Sequence, residues 1–139
     1  WKWAHAFFER SGASPSTLEA LVYEMPLGLV FRKCVLWHDG EEYVFRKLQE
    51  GSREPGDMQW QFCCFGKGGL HLEVSIDGRG AGVHRVPYLK TDCSGTFDVL
   101  NNSLAGAVVR LQRRRGETEE LRSQHGAVLE LAGKAAEPY

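Results

Sequence analysis

A chain of 139 residues, 42% hydrophobic and 25% charged, fits one ordinary globular domain able to bury a core without metal or disulfide support. Its net charge of −1 excludes a general pull toward nucleic acid or acidic membrane, so such contacts would need a local patch. No stretch reaches the roughly 18 consecutive apolar residues of a membrane-spanning helix.

In chain order, Trp3, Phe7 and Phe8 predict a short aromatic-faced helix that stops at Ser11-Gly12. Ser14-Pro15 reads as an N-cap with proline at the first helical position, predicting a second helix to about Glu24. A hairpin follows, with arms at 30–37 and 43–48 around His38-Asp39-Gly40, where His38 is expected to be a solvated turn residue. Residues 51–57 form a polar loop. Strands are predicted over 58–65, 70–76 and 81–88, joined by glycine-rich turns.

From Cys93 the apolar period changes. Phe97, Leu100, Leu104, Val108 and Leu111 recur at three- and four-residue steps, which predicts a helix with one buried face. Arg113-Arg114-Arg115 would suit its C-terminus, as a solvated end or a local contact for RNA or acidic lipid. Residues 117–131 predict a more exposed helix, and 133–139 a frayed tail. The expected fold is a single α+β domain over 1–139, an antiparallel sheet flanked by helices.

Cys34, Cys63, Cys64 and Cys93 show neither zinc spacing nor a paired framework, so they read as free thiols in a reducing compartment. His71, His84 and Cys93 form a candidate nucleophilic site. A cysteine opening a helix meets unpaired N–H groups and partial positive charge that favour thiolate, and two strand-borne histidines would serve as base and orienter. His5 and His125 lie in predicted helices and carry no pattern. No cofactor or metal set is read from the sequence.

The run Glu54-Pro55-Gly56-Asp57, then Leu70-His71-Leu72-Glu73-Val74 ending at Asp77-Gly78, resembles the H-box region of the lecithin:retinol acyltransferase-like proteins of the NlpC/P60 superfamily. Val83-His84 stands where that pattern has its second histidine, and Asp92-Cys93-Ser94-Gly95-Thr96-Phe97 is similar to its Asn-Cys box. The resemblance covers about 54–106. It departs in Asp92, whose negative charge opposes thiolate, in the short spacing from His84 to Cys93, and in lacking a hydrophobic C-terminal anchor.

A chain beginning at Trp1 rather than Met, with both boxes and no anchor, is similar to the H-box/NC-box 2A proteins of kobuvirus- and parechovirus-type picornaviruses. That implies a viral non-structural scaffold in genome replication, binding host or viral proteins in the host cytoplasm or at replication membranes, with Cys93, His71 and His84 vestigial. The alternative is an active cysteine acyltransferase, phospholipase or thioesterase. A second alternative is a β-rich adaptor: residues 95–103 loosely resemble the glycine–aromatic–Asn-Ser strand of jelly-roll-like Golgi-dynamics (GOLD) domains. That reading requires 96–103 to be a strand.

Overall fold

The computed structural model describes residues 1–9, 14–54, 56–80, 82–113, 116–133 and 136. Ten strands form: β1 (Lys2–Phe8), β2 (Ser16–Glu24), β3 (Val30–His38), β4 (Glu41–Phe45), β5 (Lys47–Glu50), β6 (Gln59–Phe65), β7 (His71–Asp77), β8 (Val83–Leu89), β9 (Thr96–Gln112) and β10 (Thr118–Ala132). Helical structure among the described residues is confined to short 3-10 turns. None of it is long and apolar enough to cross a membrane.

The strands pair antiparallel in the order β4-β3-β2-β1-β10-β9-β7-β6-β5, and β8 pairs β9 beside β7. The long β9–β10 hairpin belongs to two layers. Residues 96–102 of β9 and 127–131 of β10 pair with β8 and β1, whereas 106–112 of β9 pair with β7. The passage between layers occurs at two bulges. β9 advances from Asn102 to Ala105 while β10 retreats only from Leu129 to Ala127, and β10 then carries extra residues between Ser123 and Ala127. Such insertions bend a strand and increase its twist.

One core fills the space between the layers. Ala4, Ala6, Phe8, Leu18, Ala20 and Leu36 come from one side, and Trp60, Phe62, Leu72, Val74 and Ile76 from the other. Along β1, β2, β6 and β7 alternate residues point inward, as period-two geometry demands. The layers are also joined by polar contacts. Glu50 of β5 accepts from Lys2 of β1 and, at 2.9 Å, from the buried Trp60 indole.

The α+β expectation with flanking helices is therefore overturned, and with it the NlpC/P60-type arrangement of a cysteine at a helix N-terminus. The antiparallel sheet is present, as are the predicted strands near 30–37, 58–65, 70–76 and 81–88; the expected hairpin arm 43–48 divides at Arg46 into β4, paired with β3, and β5, paired with β6. The regions read as helices at 3–8, 14–24, 93–112 and 117–131 are instead β1, β2, β9 and β10. In β9, Ala105, Ala107, Val109 and Leu111 are buried alternately, while Leu104 is 60% exposed. The helical spacing of Leu100, Leu104, Val108 and Leu111 thus mixes residues from both faces of a bulged strand. Ser11 and Gly12, Arg114 and Arg115, and the tail positions 134–135 and 137–139 lie outside the described residues; Ala136 is buried.

Candidate functional site

His71, His84 and Cys93 are not brought together. His71 opens β7 on the outer face of its layer, where its ring stacks on Phe65 with centroids 5.0 Å apart. It lies opposite Gln112 of β9, whereas His84 lies opposite Asn101. These register partners are eleven positions apart (112 − 101), or about 36 Å of extended strand before bending. Cys93 sits in the β8–β9 turn beyond Thr96, exposed and with positive φ. Its turn is closed by hydrogen bonds from the Cys93 N–H to Lys90 and from the Ser94 N–H to the Asp92 carboxylate. The latter bond holds Asp92 below the usual carboxylate range. Among the described residues no helix begins at Cys93.

A different set of chemical groups converges in the interior. His38, expected as a solvated turn residue, is 1% exposed, because the alternation Cys34, Leu36, His38 faces the core. Its Nδ1 is 2.8 Å from Ser16 Oγ, and its Nε2 is 2.8 Å from a Glu119 carboxylate oxygen. Arg113 reaches Glu119 at 3.2 Å and Asp39 at 3.8 Å. The order hydroxyl–imidazole–carboxylate formally matches a hydrolytic relay. Ser16, however, is wholly buried, so no acyl substrate reaches it. His38, Asp39 and Glu119 also hold potential ligand atoms within 4.8 Å of one another. The Arg113 guanidinium already supplies positive charge to both carboxylates. The cluster reads as a polar joint tying β2, β3 and β10 together.

The outer face of the second layer carries a shallow groove of about 480 Å³. Cys63, Ser75 and Val108 belong to its floor, and Gln61, Glu73, Arg110 and Arg122 line it. Arg110 bonds Glu120 at 2.7 Å and Arg122 bonds the same carboxylate, which holds Glu120 below its usual range. Burial, with Glu73 and Cys64 nearby, pushes the Cys63 thiol up. The charges in this groove are largely satisfied among themselves.

The clearest unsatisfied surface is β8. All seven of its residues are exposed, and among the described residues it pairs on one side only, with β9. Val83, Val86, Tyr88 and Leu89 present apolar side chains to solvent, Leu89 at 64% exposure. Tyr88 and Trp1 pack around Phe97 at the end of this edge. Near that end of the same layer the β2–β3 turn exposes Leu27 and Leu29. His5 and His125, predicted to lie in helices, are exposed strand residues.

Sequence reading placed 81–88 on a strand but missed its exposure on both faces, because that depends on which neighbours the fold supplies. The His38 network had a legible signal in the alternation of β3. Comparison with protein-family models, curated proteins and solved structures finds nothing that matches this chain.

Proposed function

We propose that this chain is a non-enzymatic β-sandwich interaction module, an adaptor of the jelly-roll-like GOLD type, whose β8 edge receives an extended apolar segment of a partner protein. The observation that carries the reading is β8 itself: a strand exposed at every residue, paired on one side only among the described residues, with four large apolar side chains. Such an edge is a template for strand addition, in which main-chain bonds supply affinity and alternate side chains supply selectivity. The strand over 96–103 meets the condition that the adaptor reading set. The dispersal of His71, His84 and Cys93 gives acyl transfer no support. The viral-scaffold reading shares a non-catalytic role in binding proteins, but its fold argument falls with the helices.

The test is proximity labelling in cells with the native chain and with Val86→Lys, which places a charge on the exposed edge without touching the core. Loss of particular partners by about tenfold in the variant, the size expected of a central contact, together with direct binding of one such partner to the purified chain, supports the reading. An unchanged partner set at equal abundance overturns it.

A further inference from the structure

Cys34 and Cys64 meet across the core, one from each layer. Cys34 faces inward from β3, in register with Ala20 and Phe45. Cys64 faces inward from β6, in register with Leu48 and Leu72. Both are fully buried. Their register partners Phe45 and Leu48 stand three residues apart where β4 passes to β5, and both cysteines belong to the one core cluster; the neighbouring Cys64 thiol, together with burial, pushes the Cys34 thiol well above its ordinary value. Cys63 is the sequence neighbour of Cys64, but strand alternation turns it to the outer groove, and Cys93 lies in an exposed turn. Of the four cysteines, the fold selects one pair.

We propose that Cys34 and Cys64 are a disulfide site that pins the two layers together through the core when the chain folds in the presence of a low-molecular-weight disulfide such as oxidised glutathione. One protein thiolate attacks a sulfur of the small disulfide, whose S–S bond breaks and releases one small thiol. The second protein thiolate then attacks the protein-bound sulfur of the mixed disulfide and expels the second small thiol. The protein loses two hydrogens, and one small disulfide is reduced to two thiols. Exchange occurs before the layers close, because afterwards both sulfurs are sealed from solvent. The same sealing protects the finished bond from reductant. It closes a loop of about 30 residues, long enough to restrict the unfolded chain substantially.

The test refolds the full chain from denaturant with a mixture of oxidised and reduced glutathione, or with reduced glutathione alone. Remaining thiols are then alkylated under denaturing conditions, and the fraction with native β circular dichroism is mapped by tandem mass spectrometry. The expected product is lighter by two hydrogens before alkylation, links Cys34 to Cys64, and is alkylated at Cys63 and Cys93. Its thermal midpoint lies about 5–15 °C above that of the reduced form, and added reductant under denaturing conditions reverses the difference. Cys63→Ser, altered only on the outer face, should keep the link. The proposal is overturned if Cys34 is alkylated throughout the native-like fraction, or if it is linked to Cys63 or Cys93 instead.

Discussion

Ser16 Oγ and His38 Nδ1 lie 2.8 Å apart in the sealed interior, joining the start of β2 to the end of β3. The other imidazole nitrogen carries the connection to Glu119 in the opposite layer. The imidazole is therefore the middle member of a bridge between layers. His38→Ala should cost about 2–4 kcal/mol, because it opens a cavity and strands a buried hydroxyl. Ser16→Ala should cost about 1 kcal/mol. Urea unfolding of both single variants and the double variant checks this: the double loss should fall short of the sum, and strict additivity would deny the bond.

Asn102 holds the bulge at which β9 leaves one layer for the other. Its Nδ2 donates to the Gly78 carbonyl at 2.7 Å, and its Oδ1 accepts the Leu104 N–H at 2.8 Å. The side chain is 1% exposed. Asn102→Ala should destabilise by about 2–3 kcal/mol, and Asn102→Asp by at least as much, since it buries a charge beside the Gly78 carbonyl. Equilibrium unfolding gives the values; hydrogen exchange should show faster exchange at the Leu104 amide, which loses its acceptor. A neutral Asn102→Ala would mean that the bulge is held by other contacts.

The four thiols should separate cleanly by reactivity. Cys93 is exposed and should label first with iodoacetamide; Cys63, half-buried with its thiol pushed up, should follow. Reduced Cys34 and Cys64 should react only through global opening. Because His71 and His84 lie away from the β8–β9 turn, His71→Ala and His84→Ala should leave the Cys93 rate within about twofold, whereas removal of an activating base would depress it. A large drop in either variant would restore the His–Cys site.

Acid should weaken the fold through Asp77. Arg79 clasps this carboxylate at 2.9 and 2.7 Å, and its side-chain bonds hold Asp77 below the ordinary value of 3.8. The folded state thus keeps the proton off longer than the unfolded chain does. The contribution is complete above the unfolded value near 3.8 and is lost as pH falls through the lowered folded value. Both groups are largely exposed, so screening keeps the effect small. Unfolding of Asp77→Asn and the native chain between about pH 5 and pH 2 should show a shallower acid loss in the variant. Parallel curves would rule the pair out as a source.

Regular alternation made part of this fold legible. The β3–β4 hairpin is announced by Asp39-Gly40, which takes positive φ at both positions, and β6 and β7 alternate without interruption. β9 hid itself because its buried residues shift from even positions at Leu100 and Asn102 to odd ones at Ala105 and Ala107. A period-two test over the whole segment fails at that bulge, while Phe97, Leu100, Leu104, Val108 and Leu111 fall by coincidence on a helical stripe. The candidate site was misplaced for a related reason. His71, His84 and Cys93 were joined by order along the chain, but β7 and β8 pair with opposite halves of β9.

β1 pairs with β2 on one side and with β10 on the other, Lys2 lying opposite both Val22 and Leu131. On the ribosome, one of those neighbours is made almost at once and the other more than a hundred residues later. The growing chain must carry β1 as an open seam until β10 emerges, with half-assembled apolar surface in reach of chaperones and of other nascent copies. The sheet is therefore completed only when β10 closes on β1.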